Sequence, residues 1–470
     1  MFKLITLITT AIKHLSTLFS LQQIVLLLKR KDHIAPLVTF RILYATVMLI
    51  GSLRFIYKGW VHSFYGIPNY FFPYYGFEWV KPLSEQGMYI VFILIAFSFF
   101  MIGIGAFYRF FSILAFLLFT YSEVIDKTNY LNHYYFISII SFVMIFLPAN
   151  RYFSIDVWIW PKIKCTSIPR YFIQIIQLQL VIVYICAGVA KINYDWLIDA
   201  MPLRIWLPRL NDFPIIGSLL NESWVAYLFS WFGALYDLFI PFILMNKRFR
   251  LLGYFFVVIF HIATWLFFQI GMFPYIMIVT SLIFFSSDFH LGIIRKIQAL
   301  FGHTNIDEEH KYFEFRNHYL KNIFTIIICV YFTIQVVLPF RFALYPGNLF
   351  WTEEGFRFSW RVMLIEKKGL CFFYIKDKEM KRPIEVIVSE YLTPLQESMM
   401  NTQPDMILQF AHHLAKEFKE KGMKDPQVRV LSYVSLNGKP SQLFINPEID
   451  LAKETDSFEP KNWILPYINN

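Results

Sequence analysis

Residues 250–288 form an almost continuous apolar run, broken only around Gln269, Gly271 and Pro274. Nothing constrains this chain more. A run of that length suits helices in lipid, where every backbone N–H and C=O must be satisfied within the segment. A spanning helix takes about 20 mostly apolar residues. Nine stretches qualify: 38–57, 88–107, 109–125, 134–149, 171–191, 224–246, 250–269, 272–288 and 319–340. The break inside 250–288 reads either as a loop between two spans or as a tight or re-entrant turn.

Composition supports the membrane reading. The 470 residues are 57% hydrophobic and 16% charged, and 53 of them are Phe, against roughly 25% charged in ordinary soluble domains. The net charge of +10 raises nucleic acid as a partner. No RNA- or DNA-binding motif accompanies it, and most Lys and Arg lie in short loops between apolar stretches. We therefore expect a lipid bilayer as partner and no nucleic acid. Cys165, Cys186, Cys329 and Cys371 fit neither a zinc site nor a CxxC pair. Residues 1–37 read as an amphipathic interfacial segment, interrupted by Lys13 and His14, rather than a signal peptide.

Positive charge gives an orientation. With a cytoplasmic N-terminus, the cytoplasmic loops hold Arg151, Lys162, Lys164 and Arg170, then Lys247 to Arg250, then Arg295, Lys296, Lys311, Arg316 and Lys321. The opposite side keeps few, among them Lys58, Lys81, Lys127, Lys191, Arg204 and Arg209. This is positive-inside with an odd number of spans, so residues 341–470 are expected outside the cytoplasm. That region has a different composition. RFSWRVMLIEKK, LCFFYIKDK and RPIEVIVSE read as strands, the first two separated by a turn at Lys368–Gly369. Residues 404–421 read as an amphipathic helix with Met406, Ile407, Phe410, Leu414 and Phe418 on one face, and Asn437–Gly438 signals a hairpin. The expected architecture is an all-α polytopic membrane bundle of about nine helices over 38–340, followed by a small extracytoplasmic α+β domain over 341–470.

Ionisable residues inside a membrane are costly, so each is a functional candidate. They are Glu123, Asp126, His133, Lys191, Asp237 and His261. Each also has a blander reading. Asp237 can bind a neighbouring helix, a lone histidine such as His261 on an apolar face is ordinarily a packing residue, and Lys191 can snorkel to the interface. There is no HExxH, Walker A loop, GxGxxG or GxSxG. The adjacent His412 and His413 point in different directions on a helix. No metal site is expected, and residue chemistry alone does not name a reaction.

Two segments go further. DKTNYLNHYYF (126–136) is closely followed by PANRYFSID (148–156), and VYICAGVAKINYDWL spans 183–197. Both resemble signature stretches of the vitamin K-dependent gamma-glutamyl carboxylases. FRILYA (40–45), FH (260–261), QIGMF (269–273), FRFSWRVM (356–363) and FINPEIDL (444–451) add weaker matches in the same order.

The resemblance implies oxidation of reduced vitamin K (phylloquinol or menaquinol) by O₂ to an epoxide. It implies that this is coupled to proton removal from a glutamate side chain of a peptide or protein and to addition of CO₂. It implies that Lys191 deprotonates the hydroquinone and that His133 stabilises charge during carboxylation. Asn132 would help hold the quinol oxygen, and Tyr184, Tyr130 and His261 would line the cofactor site. Ala190 and Tyr130 stand where the animal enzymes have a lysine and a tryptophan. The active face would be extracytoplasmic, hence periplasmic in a bacterium. Two alternatives remain open: a quinol-epoxidising enzyme without glutamate carboxylation, and a non-enzymatic scaffold or transporter using Asp237 and His261 as a polar path.

Overall fold

The computed structural model describes residues 30–268, 270–300 and 311–468. Most of the expected interfacial segment 1–37, and Gln269, lie outside the described residues. What is described of that segment includes strand β1 (Lys31–His33), paired antiparallel with β2 (Ser167–Pro169).

Each of the nine apolar stretches carries a helix. These are α1 (Ala35–Tyr57), α2 (Glu85–Ile104), α3 (Tyr108–Val124), α4 (Asn132–Phe146), α5 (Tyr171–Ala190), α6 (Ser223–Met245), α7 (Arg250–Phe267), α8 (Phe273–Ser281), then α9 (Ser287–Leu300), which continues beyond the eighth stretch, and α10 (His318–Val337). Six of them, α1, α2, α5, α6, α7 and α10, are long and apolar enough to cross a membrane. The count of nine spans is not reached on that measure. At 1.5 Å per residue the 15-residue α4 is about 22 Å long, short of a hydrocarbon core about 30 Å thick. The eighth stretch is a broken element, in which Phe273–Phe284 turns by 115° into α9.

The PANRYFSID stretch has a structural task. Asp156 accepts hydrogen bonds from the backbone N–H groups of Phe107 (2.6 Å) and Tyr108 (3.1 Å) and from Asn150 Nδ2 (2.7 Å). It thereby satisfies donors that α3 leaves open at its N-terminus. Arg41, buried within α1, donates to the carbonyls of Ala149 (2.8 Å) and Phe153 (2.6 Å). The motif ties α1, α3 and the loop after α4 into one knot.

The C-terminal region carries a four-stranded antiparallel sheet of order β4-β3-β5-β6, formed by β3 (Lys367–Lys376), β4 (Ile384–Val386), β5 (Gln427–Leu436) and β6 (Gln442–Leu443). Helix α12 (Pro404–Glu420) packs on one face, with Phe410 edge-on to Phe373 at 4.9 Å, and the shorter α11 (Pro394–Met400) precedes it. Met406, Ile407, Phe410 and Leu414 are fully buried, as the helical pattern requires. Asn437 and Gly438 take left-handed conformations at the β5–β6 turn.

Two strand expectations fail here. β3 runs straight through Lys368–Gly369, paired with Ser435 and Val434 of β5, and the glycine is there because the Asn401 carbonyl comes too close for any side chain. RFSWRVM is no strand. It is an irregular strap in which Phe358, Trp360 and Met363 all have positive φ, a conformation that costs L-residues energy and persists only where surrounding contacts impose it.

The sheet domain is locked to the membrane domain by buried charge. Lys127 Nζ lies 2.6 Å from Asp405 Oδ2, and Arg357 grips the same carboxylate at 2.7 and 3.3 Å. Asp126 accepts from Gln396 Nε2 at 2.9 Å. Burial pushes the Asp405 carboxyl up, but Arg357 and then Lys127 overcome this and hold it well below the usual carboxylate range.

Candidate active site

Helix α5 ends at Lys191, whose N–H bonds back to the Gly188 carbonyl at 3.1 Å, and the next N–H, of Ile192, bonds to the Val189 carbonyl at 3.0 Å. Asn193 then caps the next short helix by accepting from Trp196 N–H at 2.9 Å. The long Lys191 side chain turns back along α5 into the bundle. It meets Asp237 of α6, with Nζ 2.7 Å from Oδ2, and both side chains are only 8% exposed. The Ala187 carbonyl lies 3.5 Å from Nζ, and the Trp196 ring 5.5 Å.

A glycine makes this pairing possible. A methyl group on Gly188 would sit 2.9 Å from the Leu238 backbone nitrogen, so only glycine lets α5 and α6 approach so closely. Four residues beyond Asp237, Pro241 has no N–H to offer the Asp237 carbonyl.

Two turns before Lys191 on the same face of α5, Tyr184 lies about 10 Å away along the helix axis. Its hydroxyl is 3.2 Å from His261 Nε2 and 3.5 Å from Ser281 Oγ. His261 is buried in α7 and its Nδ1 has no hydrogen-bond partner.

Both polar groups face one cavity of about 340 Å³, walled by Phe229, Phe232, Phe260, Phe267, Phe268 and Phe273. Val362 and Met363 of the strap also line it, so part of its wall comes from the segment leading into the sheet domain. Leu228, Phe232 and Ile259 line it and are exposed on the outer surface of α6 and α7. The cavity therefore reaches the face that a bilayer would cover.

The remaining sequence candidates sit beside the cavity rather than on its lining. His133, near the start of α4, has its ring 5.8 Å from that of Phe273, which in turn stands 5.7 Å from His261. Tyr130 and Asn132 hold the strap. The Tyr130 hydroxyl accepts from Phe358 N–H at 2.7 Å and donates to Asn132 Oδ1 at 3.0 Å, while Asn132 Nδ2 donates to the Arg361 carbonyl at 2.9 Å. Among the described residues no group of three or more His, Cys, Asp or Glu is placed to hold a metal ion.

Residues 29–289 match the family profile described as HTTM domain, and residues 320–470 match that of the vitamin K-dependent gamma-carboxylase lumenal domain. The chain belongs to the gamma-carboxylase family. No solved structure gives a significant match to it. The two gamma-carboxylase regions meet at the cavity, with the HTTM region supplying Lys191, Asp237, Tyr184 and His261 and the lumenal region supplying Val362 and Met363.

Sequence reasoning left Asp237 out of the site. An acid in the apolar run WFGALYDLFIPF is a visible signal, but nothing local says that its partner lies 46 residues earlier. Val362 and Met363 lie in the weaker family match FRFSWRVM, but an apolar pair in a strand-like pattern reads as core and gave no sign of a cavity wall.

Proposed function

We propose that this protein carboxylates glutamate side chains of a peptide or protein to gamma-carboxyglutamate, using reduced vitamin K, O₂ and CO₂, at the extracytoplasmic face of a membrane. The observation that carries this reading is the buried Lys191–Asp237 pair on the wall of an aromatic cavity open towards lipid. The residues present suit a prenylated quinol. Aromatic and aliphatic side chains would hold the ring and tail, Lys191 and Asp237 would face one hydroxyl, and Tyr184 with the unpartnered His261 Nδ1 offers polar atoms for the other. When bound and oxidised by O₂ to its epoxide, the quinol would supply the basicity needed to remove a glutamate γ-proton.

Lys191 takes up the proton of a ligand hydroxyl in this scheme. The apolar walls exclude water, which strengthens the electrostatic grip on the ligand and protects a carbanion from quenching. The strap brings the lumenal region to the cavity, consistent with a peptide presented from that side. The test supplies purified protein in detergent with reduced vitamin K, O₂, labelled CO₂ and a glutamate-rich peptide. Epoxide together with label in the peptide, both lost in Lys191→Ala, is the expected result. Neither product from the wild type would sink the reading.

A second reading is quinol epoxidation without carboxylation. It is favoured by the position of His133, which lies behind Phe273 and off the cavity lining. Epoxide without labelled peptide would select it. Under the carboxylase reading His133→Ala reduces carboxylation more than epoxidation.

A further inference from the structure

We infer that Asp237 is the resting place of the proton that Lys191 collects, so that the two side chains work as one base. The inference rests on the proposal that Lys191 faces a ligand hydroxyl. It begins from what surrounds Lys191 Nζ. Asp237 Oδ2 at 2.7 Å, the Ala187 carbonyl at 3.5 Å, the face of Trp196 at 5.5 Å and the C-terminal end of α5 are all complementary to positive charge. A lysine held as an ammonium has no lone pair to offer. Before it can accept a proton it must release one, and the acceptor within hydrogen-bonding reach that can take it is the Asp237 carboxylate.

The way Asp237 is held fits that task. An ionised carboxylate has room for about four hydrogen bonds, and the structural acids of this chain use several. Asp156 takes three donors, from Phe107, Tyr108 and Asn150. Asp126 takes Phe72, Thr128 and Gln396, and Asp405 is gripped by Lys127 and Arg357. Among the described residues the Asp237 carboxylate receives a bond from Lys191 alone. A buried carboxylate with one donor is stabilised little as an anion and gives up little on protonation.

The step balances without any further reactant. An N–H bond of Lys191 breaks as the O–H bond of Asp237 forms, leaving a neutral amine beside a neutral acid. The amine nitrogen then takes the proton of the ligand hydroxyl, whose electron pair stays on the ligand oxygen facing the restored ammonium. The cavity starts and ends with one positive and one negative charge, so no net charge is created in a dry apolar site. The other ionisable groups around the pair are Tyr184 of α5, Tyr236 of α6 and His261 of α7. Of these, His261 is the rival acceptor, through its free Nδ1.

The experiment uses the full chain under argon with reduced 2-methyl-1,4-naphthoquinone as probe. Binding, the absorbance of the ionised probe hydroxyl, and the infrared difference spectrum are recorded with and without ¹³C-aspartate labelling. The wild type should ionise the probe and gain a carboxylic acid C=O band that shifts on labelling. At saturating probe, Asp237→Asn should lose both signals in the bound fraction, and Asp237→Glu should restore them. Should Asp237→Asn not fold, the labelled wild type and Asp237→Glu decide alone. A bound, ionised probe without a new aspartic acid band, or with imidazole bands moving instead, overturns the inference, as does failure of the probe to bind. Epoxidation in O₂ separates the two claims. Ionisation with no epoxide sinks epoxidation and keeps the proton store, whereas normal epoxide from Asp237→Asn does the reverse.

Discussion

Gly188 of α5 lies so close to Leu238 of α6 that a Cβ there would sit 2.9 Å from the Leu238 backbone nitrogen, and the residue next to Leu238 is the acid that meets Lys191. The close approach of the two helices thus sets the geometry of the ion pair. Gly188→Ala would force α5 and α6 apart, since the added methyl meets the Leu238 main-chain nitrogen as well as its side chain, and the main chain cannot rotate away. Overpacking of this kind costs about 1–3 kcal/mol. The expected outcome is a lower melting temperature in micelles and a loss of probe ionisation out of proportion to any loss of binding.

Removing one member of the pair strands the other in an apolar cavity. Breaking a buried ion pair costs about 3–5 kcal/mol, whereas replacing both partners by apolar residues of similar size is often neutral. Lys191→Met and Asp237→Leu should each melt lower than wild type, and the double variant should recover most of the loss. Thermal denaturation of the four proteins in one detergent measures this. Additive losses in the double variant would mean that the pair contributes nothing as a pair.

How much of this was legible in the sequence follows the range of the interactions. Apolar length and helical periodicity are local, so the helical membrane region, α12 and the Asn437–Gly438 turn could be read directly. The strap could not. Residues 357–363 alternate like a strand, but Tyr130 and Asn132, more than 200 residues earlier, hold them in an irregular path. The count of about nine spans is not confirmed, for a related reason. Apolar character over 134–149 and 272–288 does not say where a helix stops short or bends. The candidate site shows the same limit: Lys191 and Asp237 could each be singled out, while their pairing across the helix interface could not.

The lock between the two regions has a predictable response to acid. Asp405 is held well below the ordinary carboxylate range of about 3.9. A group whose folded value is depressed contributes stability above its unfolded value and loses it as pH falls towards the folded one. Docking of the sheet domain on Lys127 should therefore be constant from about pH 5 to pH 8 and weaken only below about pH 4. Limited proteolysis across that range should show new cleavage only at the acid end. Asp405→Asn should be cleaved at neutral pH as well, and equal protection of wild type and variant would count against the lock.

The strap offers the sharpest separation between a residue that touches ligand and one that acts through the backbone. Tyr130→Phe removes a hydroxyl that both accepts from Phe358 N–H and donates to Asn132. Each of those bonds contributes about 1 kcal/mol, while each left-handed residue of the strap costs about 1–3 kcal/mol. Without the hydroxyl the strap should relax, drawing Val362 and Met363 away from the cavity wall they form. Amide exchange at 356–363 should then speed up by tenfold or more, and apparent affinity for the quinol probe should fall, with the Lys191–Asp237 infrared signature intact in the bound fraction. Unchanged exchange in the strap together with weaker binding would instead mean that Tyr130 contacts the ligand itself.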